Sequence, residues 1–502
     1  MNDQEATPHL LVQTTTGPVR GMVRRGVSTW RGIPFAEPPV GRLRLRPPRP
    51  PAPWTEARDA TRFGAVAPQS RDPRVAVMSG ISERATVSED CLTLNVFSPA
   101  ADGKRRPVVV WLHGGAFILG AGSAPLYDGT SFAANHDLVV VSANYRLGLL
   151  GFLFLGDLAG EDYAAGNVAL LDQIAALTWV RDNIAAFGGD PDAVTIMGQS
   201  AGAIAGAALL SMPAARGLFH RAVLQSGAIG LSIPSRAGAT AFAAEALVEL
   251  GLEPGRAREI ADVPLGRVIA DQQALSERHG LATFTPYVDG VTVPAPPNDV
   301  IRAGKGADVP LLLGSNRDEW TLFDSLVGRR TTEIVAGQIK RALGDDAAAA
   351  LLGSYQEARP GRTAERAWVD IAGDVAFRIP VMRLAEAHAA AGRPTWMYRF
   401  DWSTAAFDGR LGATHALELP FMWNTLDQPF GQMLVGGDPQ ARVLSEKMHA
   451  TWAAFARTGQ PDGGGLPAWP AYRAPTRSTM ILDREVRVEE DPDRAVRQAW
   501  PK

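Results

Sequence analysis

Residues 198–202 read Gly-Gln-Ser-Ala-Gly, a pattern able to present a serine hydroxyl for attack on a carbonyl carbon. Ser200 has a glycine two positions away on each side, where a missing Cβ lets neighbouring backbone approach. The apolar, partly β-branched run from Val194 to Met197 predicts a buried strand just before it. The small and aliphatic residues from Ala203 to Leu210 predict a helix packed closely afterwards. Strand, sharp turn and helix is the setting that lifts such a serine clear of the backbone. With 51 glycines in the chain the bare pattern arises easily by chance, and the flanking elements give it its weight.

A serine hydroxyl is a poor nucleophile until a base takes its proton, and that base needs a third group to orient it. Five histidines follow Ser200. His388 and His449 fall inside helical patterns, and His220 precedes a strand very close to the serine. His279, ahead of a strand-like stretch at 281–288, fits on spacing. His415 lies in the loop Gly412-Ala413-Thr414-His415-Ala416-Leu417-Glu418, after a late strand, a placement that suits a base. For the acid, Asp318 and Glu319 both stand just past the apolar run Leu311 to Leu313, and position alone does not separate them. Upstream, Val108 to Leu112 predicts a strand running into His113-Gly114-Gly115-Ala116-Phe117. Adjacent glycines after a strand can aim successive backbone N–H groups at one point, where they would stabilise an oxyanion. His113 reads as a brace for that loop, because loop and base must lie on different sides of the reacting carbon.

These residues need a rigid frame. Buried strands are predicted at Val108–Leu112, Leu138–Ala143, Val194–Met197, Ala222–Gln225, Val309–Leu313 and Thr395–Trp402. A long amphipathic helix is predicted over Asn167–Phe187, ended by the turn residues Gly188-Gly189-Asp190-Pro191. Strands alternating with helices imply a mostly parallel sheet covered on both faces. Residues 9–35 alternate apolar and polar around glycines and predict a small antiparallel sheet. The proline-dense 34–54 predicts an extended surface wrap. Ala-rich segments at 237–278 and 331–392 predict helical insertions above the sheet, and 438–457 a late helix. No linker, repeat or low-complexity tract divides the chain, so 9–500 reads as one domain.

At 502 residues, 46% apolar and 21% charged, the composition is that of a globular protein. A net charge of −3 argues against a general nucleic-acid or membrane-surface binder. Lys104, Lys305, Lys340, Lys447 and Lys502 are the lysines among 50 basic residues, the usage of a GC-rich bacterial genome. Cys91 stands alone, so no intrachain disulfide forms. Met1 to Pro8 carries no basic-then-apolar signal pattern and no apolar run approaches a membrane span, which makes a cytoplasmic location the expectation.

The chain resembles the type-B carboxylesterases, the cholinesterase-like α/β-hydrolases. The matches run nearly end to end: Gly32-Ile33-Pro34-Phe35-Ala36 with Pro38-Pro39-Val40-Gly41, Glu89-Asp90-Cys91-Leu92, His113-Gly114-Gly115, Asn144-Tyr145-Arg146-Leu147-Gly148, Asp172-Gln173 through Phe187-Gly188-Gly189-Asp190-Pro191, and Ser200-Ala201-Gly202. The resemblance implies the α/β-hydrolase fold, with Ser200, Glu319 and His415 as the catalytic triad and Asp318 structural. It implies an oxyanion hole from the N–H groups of Gly114, Gly115 and Ala201, and a supporting Ser226 near the acid; a strand-end cap is an equally good role for that serine. Two departures stand out. Gln199 replaces the family's usual glutamate, which removes a buried charge. Ala67 stands where secreted members carry a cysteine to pair with the one matching Cys91, so the 68–90 loop is unstapled, as suits a reducing compartment.

The expected chemistry is acyl transfer from a carboxylic ester to water, with no metal or organic cofactor, by a monomer or weak homo-oligomer. Choline esters are disfavoured, because a quaternary ammonium group needs aromatic faces and 68–90 has none. Aligned by Pro286 and Asp289-Gly290, the family's acyl-pocket positions fall near Gly280 and Ala282, both small, which predicts a roomy pocket. Phe117, Trp320, Phe323 and Phe421 are candidate apolar walls, each equally at home in a core. Neutral, bulky or aromatic esters are the expected substrates. Carbamates or amides are the nearest alternative, and a non-catalytic interaction protein on the same fold is the rival from another class.

Overall fold

The computed structural model describes residues 9–70, 81, 85–230 and 233–501. Its centre is a mixed sheet of thirteen strands among the described residues. In chain order they are β1 (His9–Gln13), β2 (Pro18–Arg24), β3 (Val27–Pro34), β4 (Arg58–Asp59), β5 (Thr93–Ser98), β6 (Arg106–Leu112), β7 (Val139–Ala143), β8 (Gly189–Gln199), β9 (Arg221–Gln225), β10 (Leu311–Asn316), β11 (Thr395–Phe400), β12 (Ser478–Leu482) and β13 (Arg487–Glu490). Their order across the sheet is β1-β2-β3-β5-β7-β6-β8-β9-β10-β11-β12-β13, with β4 beside β2. From β7 to β12 all neighbours are parallel. These central strands are near-continuous apolar runs because both faces are covered.

Along β6, Val108, Val110 and Leu112 enter one core and Val109 and Trp111 the other, the two-residue alternation of a strand. The first core includes the helix Val168–Asn183, whose last turn tightens over Ile184–Phe187 and stops at Gly188, φ +83°. The second includes the helix Pro439–Thr458 through Trp452 and Phe455. The family motif around Arg146 is a buried bidentate pair with Asp172, 2.7 Å at its shorter contact.

Several expectations need correction. The strands of 9–35 are antiparallel as expected but form no separate sheet. β3 pairs with β5 from Ser28↔Ser98 to Pro34↔Thr93, so they are one edge of the large sheet. The stretch 281–288 is a loop. The Ala-rich 331–392 forms helices Arg330–Leu343, Asp345–Ala358, Ala364–Gly373 and Ile379–Ala390. The last packs on β10 and β11 and buries Val381, Leu384 and Ala385, so it covers the sheet rather than standing above its end. β12 and β13 were not anticipated; with Pro and charged residues close on either side, their five- and four-residue runs carry little periodic signal. The proline segment is largely irregular as expected, and Arg44 ties it to Glu89 in a bidentate pair at 2.7 Å. Met1–Pro8 and most of the 68–90 loop lie outside the described residues.

Candidate active site

The candidate residues lie just past the carboxyl ends of β6, β8, β10 and β11, where loops from adjacent parallel strands converge. Ser200 joins β8 to the helix Ala201–Leu209 with φ +55° and ψ −125°. That backbone conformation costs a non-glycine residue about 1–3 kcal/mol. It is held because Ser200 N donates to Gln225 O of β9 and Ile204 N donates to Ser200 O, both at 2.9 Å. A Cβ on Gly202 would stand 1.9 Å from Leu112 O, so the helix backbone rests directly on the end of β6.

The glycine loop that follows β6 lies against this turn. A Cβ on Gly114 would meet Gln199 O at 2.9 Å and Ser200 Cβ at 3.1 Å. Among the described residues the amide of Gly115 donates to no backbone group, whereas that of Gly114 faces the Tyr127 phenol. Ala201 opens its helix, where the first amides have no partner within it. The glycine loop thus packs on the serine turn, beside the Ala201 amide that opens the helix. His113 is the brace expected of it: its ring stacks on Tyr145 at 4.3 Å between centroids, and Tyr145 OH donates to His113 O at 2.6 Å. Burial pushes its imidazole down to about 4, so it is neutral.

Of the two carboxylates after β10, Glu319 meets the imidazole. Its Oε2 lies 2.6 Å from His415 Nδ1, and its Oε1 accepts from Asn316 N at 2.7 Å. Asp318 faces away. It accepts from Arg317 at 2.9 Å and from Ala413 N at 2.9 Å, with Arg366 and Arg362 at 3.8 and 4.0 Å. Burial opposes its ionisation, but the Arg317 charge and the Ala413 hydrogen bond outweigh it and hold the carboxyl below its ordinary value. Asp318 therefore pins the loop that carries His415. The second ring nitrogen of His415 lies 3.1 Å from Gln199 Nε2, which places the imidazole at the serine turn. The other histidines are engaged elsewhere: His279 with Glu245, His220 with Val194 N, His388 with Thr395 and His449 with Met422 O.

Sequence reasoning passed over Glu418, although it is in the same loop three residues after His415. It is fully buried and accepts from Asn316 Nδ2 at 2.7 Å and from Gln225 Nε2 at 3.3 Å. Burial, followed by the nearby Glu319 charge, pushes its carboxyl up to about 7. Asn316 thus holds both carboxyl groups, one through its backbone and one through its side chain. Phe377 was also missed; its ring lies 4.5 Å from the His415 ring, and nothing in a helical stretch marks which aromatic residue faces a distant loop.

The pocket residues divide. Trp320 and Phe323 pack with Phe377, Val369 and Ala372, and Phe323 lies 5.2 Å from the His415 ring, which sets an apolar cluster beside the imidazole. Phe117 is buried against Phe152, 4.6 Å away, beneath the glycine loop. Phe421 is a correction: it is fully buried against Phe400 and Trp402 in the second core, on a short helix that turns its ring inward. Gly280 and Ala282 are another. Ala282 is exposed and Gly280 sits by Ile334, while Leu281 between them packs on the Trp320 group, so the large residue turns inward. Ser226 follows β9 with φ +48°; its N donates to Gly314 O, but among the described residues its buried hydroxyl meets no group and makes no bond to Glu319.

The chain's relatives agree with this architecture. The carboxylesterase family model matches residues 8–500. Para-nitrobenzyl esterase of Bacillus subtilis is 40% identical over 497 residues, covering 98% of each chain. Phenmedipham hydrolase of Pseudarthrobacter oxydans is 38% identical over 488 residues, covering 95% of each. Among solved structures, the Geobacillus stearothermophilus carboxylesterase at pH 6.2 superposes with a TM-score of 0.87 at 41% identity, covering 98% of this chain and 100% of that one. A thermophilic PNB esterase superposes at 0.89 with 38% identity and the same coverage. With the sheet, the serine turn and the glycine loop all in place, this chain belongs to the carboxylesterase family of α/β-hydrolases and is a carboxylic ester hydrolase.

Proposed function

We propose that the protein hydrolyses neutral, bulky or aromatic carboxylic esters through an acyl-enzyme on Ser200. His415 takes the Ser200 proton as Oγ bonds the ester carbonyl carbon. The oxyanion that forms is received by the N–H groups of Gly114, Gly115 and Ala201, each donor of this kind contributing on the order of 10²–10³ in rate. His415 then gives the proton to the leaving alkoxide, and the alcohol departs. Water repeats the sequence: His415 takes its proton, hydroxide adds to the acyl carbon, and the carboxylic acid leaves as Ser200 regains the proton. Glu319 keeps the proton of the neutral ring on Nδ1 and offsets the charge of the imidazolium.

The observation that carries the reading is the 2.6 Å contact of Glu319 with His415, on a ring whose other nitrogen faces the residue next to Ser200. Trp320, Phe323 and Phe377 beside the ring favour apolar acyl or alcohol groups. The test is hydrolysis of p-nitrophenyl esters by the parent and by Ser200→Ala. A fall of at least about 10³-fold in the variant is expected, and equal rates would remove the nucleophile assignment. A panel that adds carbamates, amides and phenmedipham then separates ester hydrolysis from its neighbours on the same machinery.

A further inference from the structure

Gln199 reaches the one atom of the base that the proposed mechanism needs free. An ionised Glu319 only accepts, so the proton in its short contact belongs to His415 Nδ1. In the neutral ring Nε2 is then a bare acceptor, and the group 3.1 Å from it is the Gln199 amide nitrogen, which only donates. The contact is an amide N–H directed at the imidazole lone pair. Such a donor favours the neutral ring over the imidazolium, whose own N–H would occupy the same space. The amide is also confined. Gln199 is 2% exposed, and its Oε1 lies 2.9 Å from where a Gly114 Cβ would stand, so it is wedged between the serine turn and the glycine loop.

The groups facing the ring are few. Glu319 comes from the turn after β10, and Glu418 from the base's own loop, within electrostatic reach of the ring. Phe323 and Phe377 bring uncharged rings from the helical layer, and the serine turn brings the Gln199 amide. Behind them Tyr127 interacts with Glu418 and Gly114, and burial holds its phenol neutral. Burial also favours the protonated form of Glu418. Position 199 therefore decides whether a second full charge acts at the Nε2 side of the ring.

We propose that Gln199 is a positioning residue for the base: by donating to Nε2 it keeps His415 neutral, with its proton on Nδ1, so that ester hydrolysis persists to lower pH than a glutamate at this place would permit. The proposal rests on the assignment of Ser200, His415 and Glu319 made above. When substrate binds, the amide yields Nε2 to the Ser200 hydroxyl, and the proton crosses to Nε2 as the Oγ–carbon bond forms.

The experiment measures kcat/KM for a p-nitrophenyl ester against pH in the full-length parent, Gln199→Glu and Gln199→Met. The rising limb of the profile reports loss of the proton from the base in the free enzyme. Gln199→Glu should move that limb upward by about one to three pH units, the effect of a carboxylate at hydrogen-bond distance. Gln199→Met, which lacks both charge and donor, should move it upward by a smaller step. A structural role alone would scale the rate by one factor at every pH, so coincident limbs in the parent and Gln199→Glu overturn the proposal. Parental activity in Ser200→Ala would fall on the nucleophile assignment instead. A nitrogen NMR titration of the His415 ring then still decides: the ring should hold its second proton to higher pH in Gln199→Glu, and identical titrations overturn the proposal.

Discussion

Ser200 is held by its own backbone, whereas His415 is held by the side chains of other residues. The serine turn has a left-handed residue, hydrogen bonds from its main chain, and a helix seated so closely on β6 that a single methyl group would touch Leu112 O. The loop around His415 is fastened by Asp318 to Ala413 N, by Asn316 Nδ2 to Thr414 O at 2.7 Å, by Thr321 Oγ1 to Thr414 Oγ1 at 2.8 Å, and by Glu319 to the ring itself. A backbone anchor is encoded within a few consecutive residues and tolerates almost no added volume. A side-chain anchor is assembled from segments about a hundred positions apart and yields one contact at a time.

The contrast can be broken first at the serine. Gly202→Ala places its methyl group against backbone that has nowhere to move. We expect a stability loss above about 4 kcal/mol in denaturant melts, with ester hydrolysis lost alongside it. A soluble, active Gly202→Ala protein would show that the turn is looser than its geometry. At the base, Glu319→Gln should lower kcat by about 10⁴-fold, because the amide no longer fixes the tautomer. Its thermal melt should stay close to that of the parent, the opposite of the glycine variant.

Asp318→Ala should fall between these two. It leaves Arg317 without its carboxylate and Ala413 N without its acceptor, which costs about 3 kcal/mol, while Arg362 and Arg366 keep Asp370. The loosened loop should lower kcat by about 10–100-fold, with a smaller change in KM. An Asp318→Ala protein with the parent's kcat would mean that His415 is placed without this anchor.

The finest test is the dependence of stability on pH. Glu418 is raised from 4.5 to about 7 by burial, so between those values the folded state holds a proton that the unfolded state has lost. Its contribution is full below 4.5 and is lost as pH rises through about 7. His449 acts in the other direction. Burial lowers it from 6.5 to about 4, so its contribution is full above 6.5 and is lost as pH falls through about 4. Urea melts across this range should show Glu418→Gln removing stability loss on the alkaline side and His449→Gln removing it on the acid side. Unchanged slopes in both variants would mean that neither group titrates differently on folding.

What could be read from residue order follows the same division. The serine turn, the glycine loop and the strands leading to them are contiguous patterns, and each formed near its expected place. The acid did not separate from its neighbour by pattern. Asp318 and Glu319 are chemically alike and adjacent, and they part only because the turn after β10 aims one at an imidazole and the other at three arginines. Phe421 and the Gly280–Ala282 segment were misplaced for a related reason. An aromatic or small residue has no local mark that tells a pocket wall from a core, and a one-residue change in which side chain turns inward exchanged Leu281 for its neighbours.

By itself, then, residue order determined the serine turn, the glycine loop and the strand-and-helix frame beneath them, because short-range sterics and periodicity act within a few residues of the chain. Tertiary structure alone decided which carboxylate meets His415, that Glu418 is buried behind it, and that the Gln199 amide points at its free nitrogen. Those outcomes depend on how separate loops pack over one another and on the water that packing removes, and no local run of residues contains either.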